Sequence, residues 1–361
     1  MTAPRPDPAF DVFCRVIDNY GDVGVSWRLA TGLAARRARV RLFIDDAGPL
    51  QWMAPQGAPG VQVLPFDAPA EAEADVVVET FGCDPPAAYV QRMAERARPP
   101  VWINLEYLSA EAYVERSHAL PSPQRNGLMK WFFYPGFTAR TGGLLREPGL
   151  AEAQAAFDRD AWLADLGLQR RPGERVVSLF AYPSAPFGDL LQRLDDQPTL
   201  LLLCAGSSQA AALAQAPATP RHLRLHALPW LSQPDFDRLL WSCDLNFARG
   251  EDSIVRAMWA GAPFVWHIYP QHDDAHVAKL QALLDRMAAV DGAVAAMDGR
   301  VAAPRHALWW AWNGLGPWPD AWPPIDDWRA ASQRWRQALL LQPDLVTQLL
   351  QFCAAKAGRL E

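Results

Sequence analysis

The sequence lacks the cysteine pattern of a disulfide framework or of a structural zinc site. Its five cysteines are odd in number, lie far apart along 361 residues and include no C-x-x-C pair. Disulfide-stabilised domains and zinc sites both need paired or closely spaced cysteines. We therefore expect reduced thiols that pack in hydrophobic cores.

Long apolar runs are also missing. No stretch approaches the roughly 20 apolar residues of a membrane-spanning helix. Residues 1–10 are rich in proline and lack the apolar segment of a secretory signal. We expect a cytoplasmic protein that has no membrane partner.

The chain has no excess of basic residues. Its 34 Lys and Arg residues against 40 Asp and Glu residues give a net charge of -6. A general nucleic-acid binder neutralises phosphates with a cationic face. We expect no nucleic-acid partner, and the mild acidity suits a basic partner instead.

Two glycine-rich phosphate motifs are absent as well. The sequence contains neither G-x-G-x-x-G nor G-x-x-x-x-G-K-[ST]. These motifs are typical of dinucleotide-binding dehydrogenases and of P-loop NTPases. Both enzyme classes therefore lose their main support in the sequence.

The apolar content is sufficient for two hydrophobic cores. Half of the residues are hydrophobic and 20% are charged, which is typical of globular proteins. A length of 361 residues fits two domains of common size. Two folded domains are therefore expected.

Short apolar runs alternate with helical periodicity in both halves, which is the pattern of an open α/β sheet. In the first half, strands are predicted at Phe10–Val16, Val40–Ile44, Val61–Pro65, Asp75–Phe81, Val101–Leu105 and Trp131–Tyr134. In the second half, they are predicted at Arg175–Ala181, Thr199–Cys204, Leu223–Leu228, Asp244–Phe247 and Phe264–Ile268. Predicted helices include Val25–Ala35, Asp252–Ala260 and Asp344–Ala357.

A connector without strand rhythm, residues 141–161, separates the two halves. We predict an N-terminal Rossmann-like domain at residues 1–155, completed by residues 335–361, and a C-terminal Rossmann-like domain at residues 156–334. A cleft between two such domains would be the natural ligand site.

A polar loop follows the first predicted strand, at the sheet edge where ligands bind in open α/β folds. It contains Asp18, Asn19, Tyr20, Gly21 and Asp22. Glycine permits close backbone approach, and a carboxylate can accept a proton from a nucleophile or orient it. The alternative is that an aspartate only caps the turn or the following helix.

A second candidate segment also follows a strand and opens a helix. It contains Arg249, Gly250, Glu251, Asp252 and Ser253. Free amides at the helix start, the guanidinium and the hydroxyl could bind a diphosphate, whereas the carboxylates would suit ribose or sugar hydroxyls. The alternative is an ordinary acidic first turn of a helix.

Four further residues lie at the end of a predicted strand or after one, at the same predicted edge. They are Phe180, Tyr182, Trp230 and Gln233. Aromatic faces can stack on a nucleobase and an amide can bind its edge, so these residues predict a base-and-sugar pocket. Aromatic residues at such positions also serve as core residues.

Two other conspicuous groups are interpreted as structural. His267, His272 and His276, with Asp273 and Asp274, do not predict a metal site, because an H-x-x-x-H helix without a third ligand is insufficient. Seven tryptophans lie between residues 308 and 335. We expect them to pack a segment that crosses both domains rather than to stack on carbohydrate.

Three long strings carry a family resemblance. The strings FCRVIDNYGDVGVSWRL at residues 13–29, RGEDS at 249–253 and PFVWHIYPQ at 263–271 resemble the bacterial protein-arginine rhamnosyltransferases that modify elongation factor P. The resemblance implies a GT-B fold, in which two facing Rossmann-like domains enclose a cleft and a C-terminal helix crosses back to the first domain. The first domain would bind the acceptor and the second the nucleotide sugar.

The resemblance also implies the reaction and the roles of residues. The enzyme would transfer rhamnose from dTDP-β-L-rhamnose to an arginine of elongation factor P, inverting the anomeric carbon without a metal or cofactor. Asp18 would be the general base and Asp22 a second essential acid. Tyr182, Gln233, Arg249, Glu251, Asp252 and Ser253 would contact the donor, and Trp230 would stack on the thymine.

Two alternatives remain open. A GT-B transferase could use another nucleotide sugar and a small-molecule or glycan acceptor, with the same fold. A catalytically inactive binding module could retain the sugar-nucleotide site, although Asp18, Asp22 and Glu251 are all present. Product mass spectrometry separates the first alternative, and binding without turnover would indicate the second.

Replacement of Asp18 by Asn tests the predicted base. Asp18→Asn keeps the size and the hydrogen bonding of the side chain but removes the charge that accepts the proton. The rate of transfer should therefore fall by a factor of about 10² to 10⁴ or more, while donor affinity barely changes. Single-turnover rates at saturating donor and acceptor measure the effect. If Asp18 only caps a turn, Asn replaces it well, and a rate within about tenfold of wild type would exclude it as the base.

Overall fold

The computed structural model describes residues 7–17, 20–69, 71, 73–271, 273–292 and 298–357. The chain divides into two compact units, the first formed by residues 1–150 with 342–361 and the second by 151–341. Residues 151–155 and 335–341, which the sequence prediction assigned to the first domain, thus belong to the second unit. The two units are described separately.

The first unit contains a seven-stranded sheet in the order β3-β2-β1-β4-β5-β7-β6. Its strands are β1 (Ala9–Cys14), β2 (Arg39–Ile44), β3 (Val61–Pro65), β4 (Val76–Thr80), β5 (Val101–Leu105), β6 (Pro121–Pro123) and β7 (Met129–Phe133). All neighbouring strands are parallel except the β6 and β7 pair. The helices are α1 (Gly21–Ala34), α2 (Leu50–Met53), α3 (Ala87–Glu95) and α4 (Ala112–Ser117).

The second unit contains a five-stranded, wholly parallel sheet in the order β10-β9-β8-β11-β12. Two short helices lead into it, α5 (Leu150–Ala155) and α6 (Arg159–Asp165). Its strands are β8 (Arg175–Leu179), β9 (Thr199–Leu203), β10 (Leu223–Ala227), β11 (Leu245–Arg249) and β12 (Phe264–His267). The helices that follow are α7 (Phe187–Leu194), α8 (Ser207–Ala214), α9 (Gln233–Ser242), α10 (Gly250–Ala260), α11 (Ala275–Gly292), α12 (Asp298–Trp312) and α13 (Ile325–Leu340).

Strands in the middle of both sheets are buried on both faces, which explains their nearly continuous apolar sequences. In β1, the side chains of Phe10, Val12 and Cys14 join a core with α1, whereas Phe13 joins a second core with Tyr89 of α3. Alternate residues of one strand therefore enter two cores. The five cysteines are free and buried, as expected from their spacing.

The last helix, α14 (Leu345–Ala357), belongs to the first unit. Leu345, Val346, Leu349 and Cys353 are buried in the same core as α1 and β1. The prediction that a C-terminal helix returns to the first domain is confirmed. Among the described residues, no helix is long and apolar enough to cross a membrane.

Two helices begin earlier than the sequence predicted. α1 starts at Gly21 rather than Val25, and α10 starts at Gly250 rather than Asp252. Glycine and acidic residues resemble a loop in sequence, but both are acceptable in a first helical turn, where acids interact favourably with the helix dipole. The predicted loop therefore ends at Tyr20, and Asp22 lies in the first turn of α1.

The tryptophan-rich segment forms parts of α12 and α13, two helices that the sequence analysis did not predict. Trp309, Trp312, Trp328 and Trp335 are buried within the second unit. The Trp309 indole N–H donates to the carbonyl oxygen of Phe264 in β12 at 3.1 Å. These rings act as core residues of the unit that contains β12.

Asp344 connects α14 to α1 and offers a test of how the first unit is completed. Its Oδ1 accepts the Thr347 amide at 3.1 Å and lies 2.9 Å from Arg36 Nη2. Asp344→Ala removes a helix cap and leaves Arg36 without this partner, so the first unit should lose about 1 to 3 kcal/mol. Faster amide exchange in α1 and α14 would show the loss.

Glu95→Ala is the matched control, because Glu95 is exposed on α3 of the same unit and accepts the Gln91 side-chain amide in its own helix. It should leave exchange in α1 and α14 unchanged. Unaltered exchange in Asp344→Ala would contradict a stabilising role for this contact.

Candidate functional site

The second sheet reverses its strand order between β8 and β11. Ligands of open α/β sheets bind beyond the carboxyl ends of the strands at such a switch point. Phe180–Tyr182 follows β8, and Arg249 ends β11 immediately before α10. The structure therefore brings together two segments that the sequence analysis selected separately.

Arg249 is fixed by aromatic rings at this switch point. Its guanidinium carbon lies 4.3 Å from the centre of the Phe180 ring and 5.0 Å from that of Tyr182. Its Nη1 donates to the Ala181 carbonyl oxygen at 3.1 Å. Burial lowers the pKa of Arg249, but a guanidinium remains charged at neutral pH. A preorganised cation thus lies beside the start of α10.

Gly250 is required by the local geometry. Its φ is +64°, and a Cβ there would lie 3.2 Å from the Tyr182 hydroxyl oxygen. The Trp266 indole N–H donates to its carbonyl oxygen at 2.8 Å. Any larger residue would combine backbone strain with a close contact to Tyr182. The expected role of Gly250 in phosphate binding remains a prediction.

The N-cap residue of α10, Arg249, makes no side-chain capping hydrogen bond, and the start of α10 is uncapped in this sense. The Ser253 hydroxyl donates to the Arg249 carbonyl oxygen. Uncapped amides and the positive end of the helix dipole favour an anion. The hydroxyl of Ser253 has an intrahelical acceptor here, so its proposed bond to a donor remains a prediction.

Glu251 has a cationic partner that the sequence analysis missed. Lys279 of α11 places its Nζ 2.5 Å from Glu251 Oε1. Asp252, beside Glu251, is half-buried. Lys279 lies 28 residues along the chain from Glu251 and has no motif around it, so only a tertiary contact could reveal the pair.

His267 contacts Tyr182 through both its ring and a hydrogen bond. The Tyr182 amide donates to its Nδ1 at 3.1 Å, and the two rings make an edge contact. Burial, with a smaller contribution from Arg249, lowers the pKa of His267 to about 4. His272 lies outside the described residues. Within the part of the chain that the structure describes, no cluster of three His, Cys, Asp or Glu side chains could hold a metal.

Trp230 and Gln233 follow β10 on the same sheet. The Trp230 side chain is 47% exposed. Its ring packs near Gly206, at 3.6 Å from the position that a Cβ on this glycine would occupy. Gln209 donates to the carbonyl oxygens of Leu203 and Leu228, both at 2.9 Å, and so connects the ends of β9 and β10. The exposed ring is suited to stacking, whereas Gln233 is buried at the start of α9.

The corresponding edge of the first unit carries Asp22. Its Oδ2 accepts the Ile17 amide at 3.3 Å. Tyr20 is partly exposed and makes an edge contact with the Trp52 ring, and a Cβ on Gly21 would meet no atom of the described residues within 4 Å. Asp18 and Asn19 lie outside the described residues, so their predicted roles remain predictions.

An aromatic and acidic group at this edge was missed by the sequence analysis. Phe81, after β4, stacks on Tyr107, after β5, with ring centres 4.2 Å apart. Glu106 Oε1 accepts the Asn104 side-chain amide at 2.8 Å, and Tyr113 is 41% exposed. The signal was present, since Phe81 ends one predicted strand of a parallel sheet, and Glu106 and Tyr107 directly follow another.

Comparison with known families now decides the identity of the chain. The model of a family described as elongation factor P (EF-P) rhamnosyltransferase EarP matches residues 10–354. The chain belongs to the EarP family. The predicted enzyme class is thereby confirmed as protein-arginine rhamnosyltransferase.

Curated relatives support this family membership along most of the chain. A protein-arginine rhamnosyltransferase of Pseudomonas aeruginosa is 44% identical, with 96% of this chain and 99% of the relative covered. One of Neisseria meningitidis is 38% identical, with 76% and 78% covered.

Solved structures confirm the α/β GT-B fold class. A structure described as the basis for EarP-mediated arginine glycosylation of translation elongation factor EF-P matches with a TM-score of 0.66 and 34% identity. The match covers 95% of this chain and 98% of that one. The spinosyn rhamnosyltransferase SpnG matches with a TM-score of 0.51 and 13% identity, over 95% and 99% of the two chains. At that identity the second likeness concerns the fold alone.

The neutral state of His267 gives the second unit a testable dependence on pH. In the unfolded chain a histidine takes up a proton near pH 6.5. In the folded chain, burial lowers the pKa of His267, so its imidazole takes up a proton only near pH 4. Between these values the unfolded state binds more protons, so stability falls as the pH falls. His267 should account for about 2 kcal/mol of the loss between pH 8 and pH 5.

His267→Asn offers an oxygen acceptor to the Tyr182 amide but cannot titrate, and its unfolding free energy should fall less across this range. Urea unfolding followed by tryptophan fluorescence measures the difference. His222→Asn, at an exposed position of the same unit, controls for the loss of an imidazole. Identical pH dependence in wild type and His267→Asn would contradict the buried neutral state.

Proposed function

We propose that this enzyme transfers rhamnose from dTDP-β-L-rhamnose to an arginine side chain of EF-P, with inversion at the anomeric carbon. The observation that carries the donor half is Arg249, fixed at the uncapped start of α10 at the switch point of the second sheet. The acceptor half rests on membership of the EarP family and on relatives named protein-arginine rhamnosyltransferases.

The donor is bound by groups along one edge of the second sheet. The α10 amides and Arg249 hold the diphosphate by charge-assisted hydrogen bonds, and Gly250 lets it approach the backbone. Trp230 stacks on the thymine and Gln233 binds the edge of the base. Glu251 and Asp252 accept hydrogen bonds from hydroxyl groups of the deoxyribose or the rhamnose.

The acceptor is an arginine, and the exposed edge of the first unit has suitable chemistry for its guanidinium. Carboxylates bind guanidinium through paired hydrogen bonds, and aromatic faces attract it as a cation. Asp22 and Glu106 supply carboxylates at this edge, and Phe81 and Tyr107 supply stacked rings. The mild net acidity of the chain agrees with a basic acceptor segment.

The reaction exchanges one bond of the anomeric carbon for another. A guanidinium nitrogen forms a bond to this carbon as the bond to the diphosphate oxygen breaks, and dTDP leaves with the bonding electrons. Inversion requires attack from the face opposite the leaving group, through a state with oxocarbenium character. Arg249 and the α10 amides stabilise the charge that develops on the diphosphate.

The acceptor must lose a proton during attack, because guanidinium has a pKa above about 12 and is a poor nucleophile while protonated. An ordinary carboxylate cannot deprotonate it beforehand. Asp18 takes the proton as the nitrogen–carbon bond forms, while Asp22 helps to hold the guanidinium. The Ile17 amide orients the Asp22 carboxylate for this task.

We further propose that no divalent metal or other cofactor takes part, since a guanidinium and a helix N-terminus supply positive charge where the diphosphate leaves. The reaction takes place in the cytoplasm, where translation factors act. Neither a membrane nor a nucleic acid is needed as a partner.

The test is transfer with the proposed substrates in the presence of EDTA. Wild-type enzyme with dTDP-rhamnose and EF-P should add one deoxyhexose to an arginine of EF-P, as seen by peptide mass spectrometry, and chelator should not stop it. Arg249→Ala should weaken dTDP binding about 10- to 100-fold in calorimetry, because a charge-assisted contact is lost.

Arg238→Ala is the matched control, since Arg238 is exposed on α9 of the same unit and pairs with Asp235 of its own helix. It should bind dTDP as wild type does. Absence of the arginine product would refute the proposed reaction, and activity that vanishes in EDTA but returns with a divalent ion would refute the metal-free mechanism. Normal dTDP affinity in Arg249→Ala would refute the proposed diphosphate site.

A further inference from the structure

The ion pair between Glu251 and Lys279 differs from the acidic first-turn contact of α9 in the same unit. Asp235 of α9 pairs with Arg238 three residues later in the same helix, and both side chains are exposed. Glu251 instead pairs with a lysine from another helix at 2.5 Å, and each side chain is only 19% exposed. The second unit thus positions a cation from α11 against the first turn of α10.

This cation lies where an electrostatic conflict would otherwise arise. The start of α10 presents two adjacent carboxylates, Glu251 and Asp252, at the helix terminus to which the proposed function assigns a diphosphate. Like charges repel, and the repulsion is stronger in a partly buried site than in water. A carboxylate with a close cationic partner presents much less net charge to a neighbouring phosphate.

The pair also restricts the geometry of Glu251. A glutamate side chain has several rotatable bonds, and a short, partly buried ion pair reduces the number of arrangements that it adopts. A hydroxyl group of a ligand would then meet an acceptor that is already in place. Such preorganisation increases affinity because less entropy is lost on binding.

We infer that Lys279 is a positioning residue for the donor: it neutralises Glu251 and holds its carboxylate as a hydroxyl acceptor beside the diphosphate. The inference rests on the proposed function. Lys279 acts through Glu251, so it belongs to substrate binding and not to the chemical step. Its loss should therefore raise the donor KM and leave the rate at saturating donor almost unchanged.

Charge-changing variants separate this role from a merely structural one. Lys279→Met leaves Glu251 without its cation, and affinity for dTDP-rhamnose and for dTDP should fall about tenfold or more. Thymidine, which has no phosphate for Glu251 to repel, should lose much less affinity in this variant than dTDP does. Lys279→Arg keeps the cation and should stay within about threefold of wild type for every ligand.

The double variant Lys279→Met with Glu251→Gln removes both charges. Because the uncompensated carboxylate is gone, it should bind dTDP about as well as Glu251→Gln alone, and better than Lys279→Met alone. This recovery would not occur if Lys279 only supported α11. Asp285→Asn is the matched control, since it changes one exposed charge on α11 and should not alter donor binding.

Calorimetry with dTDP, dTDP-rhamnose and thymidine measures the affinities. Single-turnover rates at several donor concentrations separate a change in the donor KM from a change in the rate of the chemical step. Wild-type affinity in Lys279→Met, or Lys279→Arg as weak as Lys279→Met, would overturn the inference. If Lys279→Met does not fold, the double variant decides, and a double variant weaker than Glu251→Gln would overturn it. Failure of wild type to transfer rhamnose would instead refute the proposed function, independently of Lys279.

Discussion

The donor edge of the second unit depends on the contacts that fix the Arg249 guanidinium at the end of β11. Two aromatic rings contact it, a carbonyl oxygen accepts its hydrogen bond, and a buried neutral imidazole holds the backbone of one ring in place. The rings belong to the segment after β8, whereas Arg249 ends β11. Their contact therefore connects the two neighbouring strands between which the strand order reverses. An anion that approaches this point meets a positive charge that need not rearrange.

The two units share one strand order. Strands three, two, one, four and five of each unit lie side by side in that order and run parallel. Such a sheet directs the carboxyl ends of its strands to one edge, so residues that are distant in sequence become neighbours. In the first unit this edge collects acids and exposed tyrosines, whereas in the second it collects a cation and an uncapped helix start.

Much of this arrangement was predictable from the sequence because buried parallel strands leave a strong apolar signal. The bounds of Val61–Pro65 and Val101–Leu105 agree with the structure, and the long strings around residues 13–29 and 249–253 indicated the family. Helix starts were less accurate, because glycines at 21 and 250 resemble loop residues although they begin α1 and α10. Tertiary partners such as Lys279 had no local signal.

The tryptophan-rich segment shows a different limit of sequence reasoning. The expectation that its rings pack rather than bind sugar agrees with the burial of Trp309, Trp312 and Trp328. Proline and glycine between them nevertheless obscured the helical period of α12 and α13, and α12 even contains Pro304. Helical periodicity is difficult to recognise when large apolar residues occupy more than one face of a helix.

The return of α14 to the first unit has a consequence for synthesis of the chain. The core around β1 and α1 includes Leu345, Val346 and Leu349, which leave the ribosome only after the entire second unit has been made. While residues 151–341 are made, the first core therefore lacks the part of its cover that α14 supplies, although α1 is already present. Apolar surface that is exposed during synthesis favours aggregation, and premature termination before α14 would make this exposure permanent.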